Sequence, residues 1–377
     1  MKSKRVPINY FSSYFVTKFV FLNKIFMKKT IVLLITFLIF SQANFAQKKY
    51  QIRTIAFYNL ENLVDTINDP TKNDEASPIM EIKENRAAIY AKKINNMAKV
   101  LSKIGTKENL ASPVIIGVAE VENQQVIEDL LKTSYLKRKN YGIIHFDSPD
   151  LRGIDVAMLY QKNHFTPTDQ ESFELKLWDT DGKRIYTRNQ LLVTGYLDGE
   201  LMHFIVNHWP SRRGGEKRSS IKREKAAYLN TQIIAKVRKT DPNAKIIIMG
   251  DLNDDPTNKS LKMVLKTKAK KKNVHKGDIY NPMEDLFRRG NNTLVYRDNL
   301  NLFDQIMFTS SLLNSKNNSD NSGFKFYKAG IFKPQYLTTQ TGKYKGYPYR
   351  SWGYGYFTGG YSDHYPSYIY LIRDNKN

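Results

Sequence analysis

The chain has 377 residues, 41% hydrophobic and 25% charged, which is enough for one large or two modest globular domains with a core. It contains no cysteine, which excludes disulfides, thiolate metal sites and cysteine nucleophiles, so any metal is held by oxygen or imidazole ligands. The formal net charge of +23 favours anionic partners such as nucleic acid, phosphorylated lipid or a membrane surface, although it is also compatible with simple solubility.

The first predicted element is a secretory signal peptide at residues 27–46. Two lysines precede an apolar run over residues 31–40, and the small residues Ala43 and Ala46 follow it. A basic start, a short apolar stretch and a small-residue cleavage site are the layout of a signal peptide. We expect the mature chain to begin near residue 47.

Residues 1–46 are therefore predicted to be an N-terminal extension outside the fold, and the protein is predicted to be secreted or periplasmic. Residues 1–26 precede a second plausible start at Met27, so an alternative is that they are not translated. An uncleaved anchor is another alternative, although the apolar run is too short to span a bilayer comfortably. After cleavage, no stable membrane anchor is expected.

The rest of the chain, residues 47–377, alternates strand-like and helix-like segments. No clear linker or repeat interrupts it, so one α/β domain is predicted. Several apolar runs are nearly continuous, as expected of strands buried on both faces. The strand candidates are residues 53–60, 113–121, 141–146, 155–160, 190–197, 201–208, 245–249, 304–308 and 365–372.

Two helices are predicted between these strands. Apolar residues recur at three- and four-residue steps over residues 81–104, and Gly105 is expected to end this helix. A second helix is predicted over residues 219–238, with a similar apolar face. The polar tracts at residues 266–273 and 314–322 are predicted to be solvated loops rather than domain boundaries.

Polar residues accompany the ends of several apolar strands, where chain ends converge on a cleft in layered α/β folds. Each cluster also has a simpler interpretation, because Asp and Asn are common in turns and glutamates can be surface charges or helix caps. The clusters are Asn59 and Glu61 in FYNLEN; Glu120 and Glu122 in GVAEVEN; Asn207, His208, Arg212 and Arg213 in VNHWPSRRGG; Asp251, Asn253 and Asp255 in GDLNDDP; and Asp304 in FDQIMF with Asp363 and His364 in YSDHYP.

These residue types suit metal-assisted cleavage of a phosphoester. Carboxylates and amides are the oxygen ligands that magnesium, manganese and calcium prefer, and Arg, His and Asn donors can hold phosphate oxygens. The reaction needs an activated water, neutralised phosphate charge and a stabilised leaving oxygen. Acyl transfer fits poorly because no serine lies in a nucleophile elbow, and the sequence lacks the Gly-rich loop with Lys that binds nucleoside triphosphates.

In combination, these motifs resemble the endonuclease/exonuclease/phosphatase superfamily, which includes pancreatic-type deoxyribonuclease, inositol polyphosphate 5-phosphatases and neutral sphingomyelinases. The resemblance extends from Asn59 to His364. It implies an α/β fold, a four-layer sandwich of two mostly antiparallel β-sheets flanked by α-helices. Two features depart from the family. Gln305 follows Asp304 where the family often has His, and the absence of a WPAWCDRVL segment disfavours an inositol phosphate substrate.

The resemblance also implies a role for each matching residue. Asp251 is expected to polarise the attacking water, and Asp304 to orient His364, which acts as general base or transition-state stabiliser. The expected catalytic residues are His208, Asp251, Asn253, Asp304 and His364; the expected substrate-binding residues are Arg152, Asn207, Arg212 and Arg213; the expected metal-binding residues are Asn59, Glu120 and Asp363. The expected ion is Mg²⁺, with Mn²⁺ or Ca²⁺ as alternatives.

The expected function is that of an exported metal-dependent phosphodiesterase, foremost an endonuclease on DNA or RNA. The basic segment at residues 212–223 can bind phosphates, and the aromatic stretch at 344–357 can stack on bases. Alternatively, the basic segment is a solvated helix face and the aromatic stretch is a loop that packs on itself. A sphingomyelinase-like or other phosphoester hydrolase is one alternative function, and a non-catalytic nucleic-acid-binding module is a second. No protein partner is implied, and a monomer is expected.

Overall fold

The computed structural model describes Phe21 and residues 26–30, 50–313, 323–353 and 355–375. Contacts divide the chain into two units, Met1–Lys49 and Tyr50–Asn377. In the first unit, Phe21 and residues 26–30 are helical, and the rest of the predicted signal peptide lies outside the described residues. The loop predicted at residues 314–322 also lies outside them. Within the described ranges, no helix has both the length and the apolar character needed to cross a bilayer.

The described part of the second unit is built from the following strands: β1 (Tyr50–Leu63), β2 (Ile115–Val121), β3 (Tyr141–His145), β4 (Asp155–Gln161), β5 (Phe165–Phe173), β6 (Leu177–Trp178), β7 (Arg184–Ile185), β8 (Gln190–Leu197), β9 (Glu200–His208), β10 (Ile246–Asp251), β11 (Ile279–Tyr280), β12 (Leu294–Tyr296), β13 (Asn299–Asn301), β14 (Asp304–Thr309), β15 (Lys325–Ile331) and β16 (Ser367–Asp374). Its α-helices are α1 (Pro78–Glu81), α2 (Arg86–Leu101), α3 (Gln124–Lys132), α4 (Glu216–Thr240) and α5 (Met283–Arg288). Short 3₁₀ or π turns lie at Asp74–Ala76, Ser260–Val264, Lys271–Asn273, Ser310–Leu312 and Gln335–Leu337.

Two six-stranded sheets organise these elements. The first has the strand order β15-β16-β1-β2-β4-β3, and the second has the order β11-β14-β10-β9-β8-β5. Among the described strands, β1 pairs with β2 and β9 with β10 in parallel, whereas the other pairs in the two sheets are antiparallel. Two further pairs, β6 with β7 and β12 with β13, form small separate sheets.

The two sheets pack face to face around a shared core that includes Phe57, Met158, Phe204, Met249 and Phe308. Side chains on the opposite face of the first sheet pack against α2 and α3, and those of the second sheet pack against α4. Successive side chains on a strand point to opposite faces of the sheet, and both faces are covered here. The central strands are therefore apolar on both faces. The order helix, sheet, sheet, helix confirms the predicted four-layer sandwich.

All of the predicted strands are present, with ends that differ by a few residues. Two longer strands were not predicted, β5 and β15, and both lie at the edge of a sheet. Edge strands bury less side-chain surface and carry more polar residues, which weakens the apolar pattern that reveals central strands. The segment TPTDQES of β5, which is polar apart from one proline, shows this effect.

The helix predicted over residues 81–104 is wrong at both ends, because the chain forms α1 and then α2 instead. Asn85, immediately before α2, adopts a left-handed conformation with φ of 56°, which separates the two helices. α2 ends at Leu101, ahead of Gly105, whose φ is +70° and where a Cβ would lie 2.6 Å from Thr54 Cγ2. The second predicted helix is α4, which extends beyond residues 219–238 in both directions.

Candidate active site

The ends of parallel strands bring the predicted catalytic residues to one edge of the sandwich. Asn59 and Glu120 lie near the ends of β1 and β2 in the first sheet. In the second sheet, Asp251 of β10 is opposite His208 of β9 and opposite Asp304 of β14 in the strand register. Since the two sheets pack face to face, side chains from both can meet in one cleft.

Glu120, His208 and Asp251 form a cluster in which one ligand atom of each lies within 4.8 Å of the others. His208 Nε2 is 3.6 Å from Asp251 Oδ2 and 3.8 Å from Glu120 Oε1. Glu120 has a left-handed φ of 62°, and its second carboxylate oxygen accepts a hydrogen bond from the Asn62 N–H at 2.9 Å. Two carboxylates and an imidazole at this spacing are a donor set that can hold a divalent cation.

The electrostatics of the cluster also fit a cation. Burial, only partly opposed by His364, raises the pKa of Asp251 to about 6. Burial and the nearby guanidinium groups of Arg188 and Arg152 hold the pKa of His208 well below its usual range. His208 is therefore neutral at physiological pH and has a nitrogen lone pair available. A bound cation would favour the charged form of Asp251.

Asn59, a predicted metal-binding residue, holds the two carboxylates of the cluster by hydrogen bonds in this structure. Its amide oxygen accepts a hydrogen bond from the Glu61 N–H at 2.9 Å, so its amide nitrogen faces the cluster. That nitrogen is 3.2 Å from Glu120 Oε1 and 3.0 Å from Asp251 Oδ2. An amide N–H cannot bind a cation. Asn59 therefore joins carboxylates that belong to different sheets.

His364, three residues before β16, pairs with a fully buried carboxylate. Its Nδ1 is 2.6 Å from Asp304 Oδ2, and its Nε2 is 3.9 Å from Asp251 Oδ2. Burial lowers the pKa of His364, but the carboxylates of Asp304, Asp251 and Asp363 together raise it well above its ordinary value. The ring is thus protonated at neutral pH. This favours transition-state stabilisation over general base catalysis, because a protonated imidazole has no lone pair to accept a proton.

Asp304→Asn should move the titration of His364 to lower pH. The substitution removes the strongest of the effects that raise the pKa of His364, while the burial that lowers it remains. The titration is measured by NMR of the histidine ring protons, with His364→Gln used to assign the signal. A midpoint equal to that of the unchanged protein would show that Asp304 does not control the protonation of His364.

Asp363, the third predicted metal ligand, is outside the Glu120–His208–Asp251 cluster among the described residues. Its Oδ1 is 3.9 Å from His364 Nε2, and its Oδ2 is 3.6 Å from an Arg350 nitrogen. Arg350 also bonds the buried Glu61, whose pKa is raised to about 8 by burial and by the charge of Asp363. Glu61 accepts the Ser351 N–H at 2.6 Å as well, so it connects the irregular end of β1 to the aromatic stretch.

Asn207, predicted to bind substrate, is held by internal partners in this structure. The residue is fully buried, and its side chain lies on the face of β9 opposite that of His208. Its amide oxygen accepts hydrogen bonds from Trp209 Nε1 at 3.1 Å and from Asn230 Nδ2 at 2.7 Å. Its amide nitrogen donates to the Met249 carbonyl at 3.1 Å. Asn207 therefore connects β9 to α4 and β10.

The predicted substrate-binding arginines differ in their surroundings. Arg212 is committed to internal partners, because it donates to the Asn253 carbonyl at 2.9 Å and to Asp255 Oδ2 at 3.1 Å, and its guanidinium lies 4.5 Å from the Phe303 ring centroid. Arg213 is exposed, and Arg152, with 49% of its side chain exposed, is 3.4 Å from Asp150. Arg152 and Arg213 are thus the two that face solvent and can meet a substrate.

Asn253 shares a hydrogen-bond acceptor with Arg188, a residue that was not predicted. Both donate to the Trp209 carbonyl, Asn253 Nδ2 at 3.0 Å and Arg188 at 2.6 Å. Arg188 is buried and also binds Asp150 at 3.0 Å. Its charge contributes to keeping His208 neutral. An arginine just before the apolar strand β8 is a weak sequence signal, since its partner lies 38 residues away.

Solved structures with the same fold match nearly the whole of the second unit. An endonuclease/exonuclease/phosphatase family protein from Bacteroides thetaiotaomicron has a TM-score of 0.53 and 18% identity, over 87% of this chain and all of that one. A mannosyl-6-phosphatase from the same species has a TM-score of 0.50 and 17% identity, over 85% and 99%. A humanised D. rerio TDP2 has a TM-score of 0.50 and 14% identity, over 85% and 98%.

No curated protein matched the sequence. A family model described as the endonuclease/exonuclease/phosphatase family matches residues 54–373, which include every residue of the site. Members of this family are phosphoester hydrolases, and the acidic and imidazole cluster is where such a reaction can occur. The chain therefore belongs to the endonuclease/exonuclease/phosphatase family and is a phosphoester hydrolase.

Proposed function

We propose that the protein is a metal-dependent phosphodiesterase that hydrolyses nucleic acid, foremost as an endonuclease. The observation that carries this proposal is the position of the Glu120–His208–Asp251 cluster beside the Asp304–His364 pair. The cluster can hold a cation. His364 of the pair supplies a positively charged hydrogen-bond donor, and its Nε2 is 3.9 Å from Asp251 Oδ2. Phosphodiester hydrolysis needs both, because negative charge builds up on the phosphate oxygens.

Mg²⁺ is the ion that we propose, with Mn²⁺ or Ca²⁺ as alternatives, and Glu120 and Asp251 are its carboxylate ligands. When bound, such an ion neutralises phosphate charge and lowers the pKa of nearby water. Asp251 orients the attacking water through a carboxylate oxygen. His364 donates from Nε2 to a phosphate oxygen, with its ring fixed by Asp304. His208, neutral and buried, contacts phosphate or assists the departing oxygen.

The basic surface near the cleft supports a polyanionic substrate. Arg152 and Arg213 are exposed, and Lys217 and Arg218 are exposed in the first turn of α4. A protein that contacts several phosphates through such residues binds nucleic acid in a salt-dependent manner. Cleavage should therefore weaken as ionic strength rises. The signal-peptide pattern at residues 27–46 adds export to the proposal, which fits degradation of nucleic acid outside the cytoplasm.

Activity should require a divalent cation and should fall at acidic pH. EDTA is expected to abolish cleavage and Mg²⁺ to restore it. The increase in melting temperature that Mg²⁺ causes should diminish below pH 6, because protonation of Asp251, whose pKa is about 6, removes a ligand charge. Differential scanning fluorimetry across pH, with and without Mg²⁺, measures this effect. Cleavage that persists in EDTA would contradict metal dependence.

The substrate is tested with plasmid, linear DNA, RNA, sphingomyelin and a sugar phosphate, each with Mg²⁺ and with EDTA. Cleavage of plasmid to open circles would support an endonuclease. If only sphingomyelin or the sugar phosphate is hydrolysed, that compound would be the substrate in place of nucleic acid. Binding of DNA without any hydrolysis would support a non-catalytic binding module. Amino-terminal sequencing of the exported protein tests the proposed cleavage near Gln47, and light scattering tests the expected monomer.

A further inference from the structure

An open groove borders Asn253, two residues beyond Asp251 in the chain. Its volume is about 940 Å³, which is near the top of the roughly 300–1,000 Å³ that pockets for drug-sized ligands occupy. A bare phosphate needs far less space. The groove is formed by the loop before α4, the loop after β10 and the β12–β13 pair. It can therefore accept a bulky part of a substrate beside the catalytic residues.

The β12–β13 pair forms one wall, on which an aromatic side chain is largely exposed. Tyr296 and Asn299 are opposite each other in the strand register, so their side chains share one face, and both line the groove. Arg297 and Asp298 form the turn between the strands, with φ of 48° and 63°. Tyr296 is 60% exposed, and the Arg297 guanidinium is 5.3 Å from its ring centroid.

This wall is attached to the segment that carries His364. Leu294 of β12 forms a bridge with His364, and the Tyr365 N–H donates to the Thr293 carbonyl at 2.7 Å. At the tip, the Asp298 N–H donates to the Tyr347 hydroxyl at 2.9 Å. A group held against Tyr296 is thus kept in a set position relative to the catalytic histidine.

The opposite wall offers an exposed arginine and an open backbone. Arg213 lines the groove and is exposed, whereas the charge of Arg212 is taken up by Glu216 and Asp255 at 2.8 Å and 3.1 Å. Gly215, with φ of 103°, precedes α4, and a Cβ there would have no atom within 4 Å. The amino terminus of α4 adds a partial positive charge at the same place. This wall suits a phosphate group.

We propose that the groove binds an unpaired nucleotide of a single-stranded nucleic acid next to the bond that is hydrolysed. Its base stacks on Tyr296, and its phosphate lies near Arg213 and the start of α4. An aromatic face and a separate cationic wall are the two elements that single-strand binding uses. A base in a duplex has both faces covered by its neighbours, so this stacking selects an unpaired strand. The inference rests on the proposed function, since it assumes a nucleic acid substrate.

Binding is measured by fluorescence anisotropy of a labelled single-stranded 12-mer in EDTA, where no cleavage is expected. Tyr296→Ala should weaken binding at least about fivefold, because loss of one base-stacking contact has an effect of this size. Tyr296→Phe keeps the ring and should bind like the unchanged protein. Tyr327→Ala is the matched control, because Tyr327 is 49% exposed but lies on β15, outside the groove. It should leave binding unchanged.

A blunt duplex of the same sequence should bind less tightly than the single strand and should be insensitive to Tyr296→Ala. Equal weakening by Tyr296→Ala and Tyr327→Ala, or no effect of Tyr296→Ala, would overturn the groove as the site. Absence of single-strand binding by the unchanged protein would also overturn it. The proposed function fails by a different result, the absence of nucleic acid cleavage in Mg²⁺. Melting curves of each variant confirm that it is folded.

Discussion

Asp251→Asn should lower turnover by at least about two orders of magnitude, since it removes a metal-ligand charge and the group that orients water. The melting temperature should stay the same or rise. Burial raises the pKa of Asp251, which means that the folded state disfavours its charged form, and a neutral amide removes that cost. Asparagine can still accept the Asn253 N–H through its oxygen, but it loses the oxygen that accepts from Asn59 Nδ2, which offsets part of this gain. Initial rates with saturating Mg²⁺ and thermal unfolding by circular dichroism measure the two effects.

The matched control is Asp169→Asn, which makes the same chemical change at an exposed position on β5. It should have near-normal turnover and the same melting temperature as the unchanged protein. If Asp251→Asn retained normal turnover, the cluster would not be the catalytic centre. If it unfolded the protein, Asp251 would have a structural role that its buried and raised-pKa carboxyl does not suggest.

Asp254→Asn should reduce the free energy of unfolding by about 3–5 kcal/mol, the typical effect of removing one partner of a buried ion pair. Asp254 and Arg223 are both buried, and Arg223 Nε is 2.6 Å from Asp254 Oδ1. The guanidinium cannot lose its proton, so it would remain charged without its counterion. The pair joins α4 to the loop that follows Asp251. Urea unfolding followed by tryptophan fluorescence measures the change.

Glu171→Gln provides the comparison on the surface, because Glu171 pairs with Lys236 where both side chains are partly exposed. An exposed pair contributes about 0–1 kcal/mol, so this variant should be close to the unchanged protein. Adding Arg223→Met to Asp254→Asn should recover part of the stability, since the uncompensated charge is then gone. A loss for Asp254→Asn as small as that for Glu171→Gln would show that the buried pair contributes little.

Central strands and strand-end residues could be predicted from the sequence because both leave local patterns. Runs such as IIIMGD are apolar when a strand is buried on both faces, and the polar residue that ends each run marks the edge of the sheet. Glu120, His208 and Asp251 were found this way, whereas Asp304 begins its strand and was found through the family resemblance. The edge strands β5 and β15 were missed because polar residues interrupt any apolar pattern in them.

The surroundings of several predicted site residues depend on side-chain direction and on distant partners. Asn207 and His208 are adjacent on a strand, so they cannot both face the cleft, and the alternation of side chains could have shown this. Arg212 is bound by Asp255 and Asn258, more than forty residues further along the chain. The direction of the Asn59 amide depends on the Glu61 N–H, which only the folded loop positions. Such contacts leave no local pattern in a single sequence.

The hydrogen bond from Asn59 to Asp251 crosses between the two sheets, and this has a consequence for how activity arises during folding. Neither sheet alone contains the water-orienting carboxylate, the bridging amide and the second ligand. Catalytic competence is therefore a property of the closed sandwich, acquired only when the last long-range contacts form. Hydrolysis of a chromogenic phosphoester during refolding would report sheet docking directly. The recovery of this activity should lag behind the recovery of secondary structure.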